Sequence, residues 1–285
     1  MSLSSLELDA FFTVAKVRNF TRAAKELFVT QSELSQRILN LEDKLETALL
    51  IRDRQDLRLT EAGQNLFEYC RIRAEMGGEV LSCLQSRDQA LSGTLRIGGF
   101  SSVMNSVIFP AIAPLLRSNA GIKLHSFTRE MEELPRLLRQ AQIDFMILDR
   151  LYPHEEIETV ALGSEEYVLV ESTRYSPVEI YLDHDEIDQI TWEYLKKFKL
   201  LSKKNSLQRR YVDDTEGLIA GAKQGLGKAV VPKHLLDKKM NLRILHPTQI
   251  LKTPVILHYY KMPYYSELQK KVLETLTTNA PMFLS

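Results

Sequence analysis

Apolar residues recur at helical spacing through about the first ninety positions and then, from Thr94, gather in short runs that alternate with helical stretches. Such a change of period predicts two architectures in series. In the first, Leu6, Phe11, Phe12 and Ala15 mark one helical stripe. Thr21 to Phe28 is a short helix with Ala23, Ala24 and Leu27 inward, small enough to admit another helix closely. Thr30-Gln31-Ser32-Glu33 fits a capping box, with Thr30 on the Glu33 amide and Glu33 reaching back. The helix it opens carries Leu34, Ile38, Leu41 and Leu45 on one face. Two helices joined by a short turn give a helix-turn-helix outline.

Leu49–Thr60 then alternates, which suggests a two-stranded wing. Thr60 caps a long helix running to about Gln89. Along it, Ala62, Leu66, Tyr69, Arg73, Met76, Val80 and Cys83 follow spacings of four and three, a seam that favours pairing with another helix. Gly77-Gly78 is a candidate bend, at about 1 kcal/mol per glycine.

Beyond Ser92-Gly93 the pattern predicts strands at Leu95–Gly99, Lys123–Thr128, Phe145–Asp149, Tyr167–Glu171, Glu179–Leu182, Lys199–Ser202, Ala229–Val231 and Val255–Tyr260. Helices are expected around Val103–Leu116, Glu130–Gln140, Gly217–Gln224 and Tyr264–Leu276. Alternating strands and helices indicate a parallel sheet with crossovers. The chain would make two α/β lobes, crossing near 160–168 and returning near 252–261.

Composition narrows function by exclusion. The 37 basic and 37 acidic residues exclude a bulk polycation that grips nucleic acid by charge alone. Residues 1–90 carry 12 basic and 14 acidic side chains, so a nucleic-acid reading must rest on local geometry. No apolar run is long enough to span a membrane, and the amino-terminal stretch lacks a secretory pattern, so the cytoplasm is expected. Cys70 and Cys83 are too few for a disulfide framework or zinc site and point to different helix faces.

The residues Phe20-Thr21-Arg22-Ala23-Ala24, Leu27, Val29-Thr30-Gln31-Ser32, Leu34-Ser35, Leu41-Glu42 and Leu59-Thr60-Glu61-Ala62-Gly63 resemble the LysR-type transcriptional regulators. Leu95-Arg96-Ile97-Gly98 and Gly225-Leu226-Gly227-Lys228-Ala229-Val230-Val231-Pro232 extend the resemblance over nearly the whole chain. Four positions depart from the family pattern: Ser32 stands for proline, Gln36 for arginine, Glu46 for glycine and Leu50 for phenylalanine.

The resemblance implies an all-α winged helix-turn-helix head (1–60) plus a long linker helix and hinge (61–93), joined to an α/β two-lobed, periplasmic-binding-protein-like effector domain (94–285). The first lobe would comprise about 94–164 and 258–285, the second 165–257. Gln31, Ser32, Ser35, Gln36, Arg37 and Asn40 lie opposite the leucines, with chemistry suited to base edges and phosphates; the alternative is a solvated face. Thr21 and Arg22 suit a phosphate. Arg52 and Arg54 resemble wing arginines directed to the minor groove, or else pair with Asp53 and Asp56. Leu66, Tyr69, Arg73, Met76 and Val80 would carry dimerisation, and family members are commonly tetramers, dimers of dimers.

By resemblance the effector pocket would use Ser101, Ser102, Thr128, Asp149 or Arg150, Ser202 and Thr215. Hydroxyls and amides at helix starts suit a carboxylate or other small polar ligand, unless Ser101 and Thr128 merely cap helices. Asp183-His184-Asp185-Glu186-Ile187-Asp188 lacks calcium-loop spacing and reads as a solvated acidic turn. Gly225-Leu226-Gly227 is in the wrong order for a dinucleotide fingerprint. No cofactor, metal or catalytic residue is expected. The expected partners are double-stranded DNA, a small-molecule effector and further copies of the chain. The rival reading is a solute-binding module with a vestigial head.

Overall fold

The computed structural model describes residues 3–52, 57–85, 91–200, 207–237 and 239–284, and their side chains except at 52, 75, 79 and 81–85. Arg54 and Ser202 lie outside the described residues, as do the side chains of Arg52 and Cys83. The chain divides into two compact units, 1–89 and 90–285.

The first unit holds α1 (Ser5–Val17), α2 (Phe20–Glu26), α3 (Gln31–Leu45), β1 (Leu50–Arg52), β2 (Leu57–Leu59) and α4 (Glu61–Gln85). Leu8, Phe11 and Val14 of α1, Ala23 and Ala24 of α2, and Leu34, Ile38 and Leu41 of α3 make its core. Leu6 is not part of it: 58% exposed, it falls outside the stripe that Leu8 and Phe11 define. Asn19 caps α2 by accepting from the Arg22 amide at 2.9 Å. Thr30 caps α3 by accepting from the Glu33 amide at 3.1 Å. The reciprocal half of the expected box is not made, because the Glu33 carboxylate takes the Arg37 guanidinium at 2.5 Å.

Two local devices then build the wing. The Glu42 carboxylate accepts from the amides of Leu49 at 2.7 Å and Leu50 at 3.1 Å, fixing the chain as it leaves α3. Strands β1 and β2 pair antiparallel with Leu50 opposite Leu59. Thr60 donates to the Ala48 carbonyl and accepts from the Gly63 amide, locking the wing to the start of α4. A Cβ at position 63 would lie 2.1 Å from the Leu49 carbonyl oxygen, so only glycine fits there. Helix α4 runs through Gly77 and Gly78 without interruption.

The second unit begins with β3 (Ser92–Gly99) and α5 (Ser101–Val103), which passes through a π turn at Met104–Ile108 into α6 (Phe109–Ser118). Next come β4 (Gly121–Thr128), α7 (Leu134–Arg139), β5 (Phe145–Leu148), β6 (Ile157–Ser172), β7 (Ile180–Asp183), α8 (Ile190–Lys197) and β8 (Gln208–Tyr211). The chain continues through α9 (Thr215–Lys223), β9 (Lys228–Pro232), β10 (Leu242–Leu245), β11 (Leu251–Tyr260) and α10 (Glu267–Asn279). The sheet order is β4-β3-β5-β11-β6-β9-β7-β8, with β10 also on β6. Strands β4, β3 and β5 are parallel, as are β9, β7 and β8, and the antiparallel pair β6 and β11 runs between the two sets.

Each set forms a lobe with helices on both faces. In the first lobe, Ile97 and Phe145 pack against α6 and α10, while Met146 and Leu148 pack against α7. In the second, Val168 and Val170 face α9, and Leu169 between them faces Tyr194 and Leu195 of α8, the period of two expected of a strand covered on both sides. The crossing strands are irregular at one level. Their register shifts between Val255 and Ile256, and Gly163 opposite has φ 145°.

Three expectations are corrected. The strand expected at Tyr167–Glu171 is only the end of the 16-residue β6. The helix expected at Glu130–Gln140 is confined to α7, since Pro135 suits only its first turn. Lys199 and Leu200 are not strand: Lys199 is left-handed at φ 57°, and the Leu200 amide closes α8 on the Leu195 carbonyl. Lys199 and Leu200 form a helix terminus, and Leu201 and Ser202 lie outside the described residues.

Candidate functional site

In the first unit, the face of α3 opposite Leu34, Ile38 and Leu41 carries the expected polar set. Gln31, Ser32, Gln36 and Asn40 are exposed, and Ser35 and Arg37 are half-buried. Thr21 of α2 donates to Gln31 Oε1 at 3.3 Å, and Gln36 donates to Asn40 at 2.9 Å. These bonds orient the amides before any ligand arrives, and Glu33 tethers Arg37 on the same face. Arg22 is exposed at the start of α2. On α4, Tyr69, Met76 and Val80 are exposed by 50%, 46% and 58%, a row of uncovered apolar side chains, whereas Leu66 is half-buried. Arg73 lies 3.4 Å from Asp9 of α1.

In the second unit, a cleft of about 440 Å³ opens between the lobes. Ser101 and Ser102 follow β3, Thr128 ends β4, Asp149 and Arg150 follow β5, and Thr215 opens α9; all six line it. Neither Ser101 nor Thr128 serves as a helix cap, since the first turns of α5 and α7 receive no side-chain bond. Thr215 does not cap α9 either. Asp214 does so by accepting from the Gly217 amide at 2.7 Å, and Thr215 Oγ1 lies 3.2 Å from His184 Nε2.

Sequence reasoning missed much of the lining. From the first lobe come Glu130 and Glu132, from the second His184, Asp185, Asp188, Glu193 and Asp213, and from β6 Tyr167. The 183–188 run is a solvated turn at Asp185, Glu186 and Ile187, as expected, but its ends are anchored. Asp183 is buried, accepting hydrogen bonds from Thr191 and from Arg209 of β8. Arg209 also donates to the carbonyls of Asp185, Glu186 and Asp188, pulling the turn inward. Burial opposes ionisation of Asp188, but bonds from the His184 ring and the amides of Ile190 and His184 prevail and hold its carboxyl at about 2. Burial likewise opposes the charged His184 ring, and Asp188 outweighs it, so the imidazole is raised.

Beneath the cleft wall lies Glu165, 0% exposed. It accepts from the Tyr167 hydroxyl at 3.0 Å, and its Oε1 is 3.8 Å from His234 Nε2. His234 reaches the first lobe through Ser106, 2.8 Å away. Burial pushes the Glu165 carboxyl up to about 7 against the bonds from Tyr167 and Ser102, and burial lowers His234. Among the described residues, no group of three or more His, Cys, Asp or Glu could hold a metal ion, and no helix is long and apolar enough to cross a membrane.

Residues 6–64 match the bacterial regulatory helix-turn-helix protein family of lysR type, and residues 88–280 match the LysR substrate binding domain. The chain belongs to the LysR family. It is thus a DNA-binding transcriptional regulator with an effector-binding domain. A probable RuBisCO transcriptional regulator of Emiliania huxleyi is 25% identical over 96% of this chain and 95% of its own length. The regulator BudR of Klebsiella aerogenes is 35% identical over 48% of this LysR-family chain and 96% of its own. Among solved structures, ArgP from Mycobacterium tuberculosis superposes with a TM-score of 0.77 at 21% identity, covering 98% of each chain. Full-length LysG from Corynebacterium glutamicum with bound effector Arg has a TM-score of 0.76 at 18% identity over 99% of each. These two likenesses concern the fold.

Proposed function

We propose that this LysR-family regulator reads its operator with α3 in the major groove. Gln31, Ser32, Ser35, Gln36, Arg37 and Asn40 would supply the contacts to base edges and nearby phosphates. Thr21 and Arg22 hold the backbone, and Arg52 and Arg54 extend to the neighbouring minor groove. The observation that carries the assignment is the single polar face of α3, held by the Thr30 cap and pre-oriented by the Thr21–Gln31 and Gln36–Asn40 bonds. Arg37 approaches guanine by exchanging its Glu33 partner, an exposed pair worth little in water.

Leu66, Tyr69, Arg73, Met76 and Val80 pair α4 with its copy in a second subunit, and the assembly is a dimer of dimers in the cytoplasm. The uncovered Tyr69, Met76 and Val80 support that pairing. Ser101, Ser102, Thr128, Asp149, Arg150, Ser202 and Thr215 contact the small-molecule effector, which acts by binding two arrangements of the subunits with different affinity. The protein works by binding, without turnover.

Binding-site selection with the full-length protein tests the DNA reading. Arg37→Ala should blur the selected sequence at the positions it reads, while Arg22→Ala should weaken all sequences alike and lower the salt slope by about one. An unchanged sequence logo for Arg37→Ala refutes the base-reading assignment. No retarded band at low salt on the protein's own promoter region would instead favour a solute-binding module with a vestigial head.

A further inference from the structure

The chemistry of the cleft wall bears on the charge of its occupant. We propose that the effector is a small organic cation of the alkylamine or alkylguanidine type, whose charged group lies between Glu130 of the first lobe and Asp213 of the second. The proposal rests on the cleft being the effector site, and it replaces the carboxylate suggested by the hydroxyls alone.

Among the described lining residues there are seven carboxylates against two guanidinium groups and one histidine. Both guanidinium groups already have carboxylate neighbours, in exposed pairs. Arg150 pairs with Glu132 at 2.9 Å and lies 3.5 Å from Asp149. Arg129 donates to the Thr128 carbonyl at 2.7 Å and stands 4.0 Å from Glu133. On the second lobe the amides of the 184–190 turn and of Gly217 are taken by the chain's own carboxylates, whereas the first turn of α5 on the other wall receives no side-chain bond. Asp185 accepts from Ile187 and Asp188, Asp188 from His184 and Ile190, and Asp214 from Gly217. A carboxylate ligand would sit in a field of its own sign.

The opposite holds for a cation. Glu130, Glu193 and Asp213 make no side-chain hydrogen bond or ion pair among the described residues. Burial and the like charge of Asp213 across the cleft raise the Glu130 carboxyl above the usual range, against the attraction of the His184 ring and with smaller repulsion from Glu132 and Asp185. A cation between the lobes replaces that repulsion with attraction to both. Asp149 Oδ1 is shielded from solvent and accepts no hydrogen bond, with Arg150 Nη1 3.5 Å away as its ionic neighbour. A donor on the ligand would satisfy it. Phe100, Met131, Ile187 and Ile190 provide apolar wall for a methylene chain. Neutralising Glu130 and Asp213 together also favours approach of the lobes, which gives the ligand the differential affinity that regulation requires.

The test uses the full-length protein with agmatine and 1,4-diaminobutane as cations and with succinate and adipate as anions of similar length. Calorimetric titration reads affinity, and hydrogen exchange over 128–132 and 213–217 reads location. The cations should bind once per chain and protect both segments. The double variant Glu130→Gln/Asp213→Asn should weaken them by at least about tenfold. Glu274→Gln, a charge removed from the exposed face of α10, should leave affinity within about twofold. Anion binding that protects the cleft, tighter in the double variant than in the native chain, overturns the cation and leaves the cleft as effector site. Cation binding that leaves both segments unprotected, or is unchanged in the double variant, overturns the proposal and counts against the cleft as well. Binding by neither series also overturns the cation assignment. Native mass spectrometry of the protein purified from cells then decides the cleft separately, since a retained neutral or anionic species protecting 128–132 preserves the effector reading.

Discussion

Replacing Glu165 by glutamine should make the second unit more stable, and increasingly so as the pH rises. Glu165 is 0% exposed on β6, with one oxygen taking the Tyr167 hydroxyl and the other making no hydrogen bond. Burial raises its carboxyl from 4.5 to about 7. The folded chain therefore holds a proton that the unfolded chain releases, so this residue lowers stability progressively as pH rises from 4.5 to about 7 and no further above that. For those two values the loss between pH 5 and pH 8 is about 2–3 kcal/mol. A glutamine side chain in its place would keep an acceptor for Tyr167 and cannot ionise.

Urea unfolding followed by the fluorescence of Trp192, the single tryptophan, reports the unit that contains Glu165. The stability gap between Glu165→Gln and the native chain should widen by about 2–3 kcal/mol from pH 5 to pH 8. Taking the gap cancels the other titrating groups, His184 and Asp188 among them. A gap that stays constant over that range refutes the argument that a protonated carboxylic acid lies under the cleft.

Three further outcomes follow from single sites. Glu46 closes α3 in the left-handed region at φ 51°, so Glu46→Gly should raise the thermal stability of the first unit by about 0.5–1 kcal/mol, measured by circular dichroism. Gly63→Ala puts a methyl group 2.1 Å from the Leu49 carbonyl and should cost more than about 2 kcal/mol, with loss of DNA retardation as the wing shifts against α4. Asp188 is held at about 2, so its ionised form stabilises the 183–190 turn above pH 4 and loses that effect as pH falls through 2. Asp188→Asn should therefore cost about 2 kcal/mol at pH 6 and nothing near pH 1.5 by Trp192 fluorescence, while the His184 share fades as pH rises through its raised value.

The helix-turn-helix was legible because its determinants are local. Thr30 and Glu33 are three positions apart, Leu34, Ile38 and Leu41 are successive turns of one helix, and Thr60 meets Gly63 within a single turn. The polar face of α3 follows once the leucines are buried. Six predicted cleft residues were found for a related reason, since each stands where a strand ends or a helix begins. Where a segment's neighbours decided its shape, the pattern misled. Lys199-Leu200 reads as strand by composition but is the end of α8, tied to Leu195.

What the sequence by itself determined is most of the order of elements, though not α8, β8 or β10, and the polarity of the helix faces, because caps and apolar periods act between residues a few positions apart. The character of the cleft was settled only by tertiary structure. Glu130 and Asp213 are 83 positions apart, and Arg209 reaches back 26 positions to the buried Asp183, anchoring a partly solvated acidic loop as one wall of the cleft. The chain's basic and acidic residues balance at 37 each, yet the lining does not. Electrostatic interaction depends on distance in space, and the fold, not the composition, sets those distances.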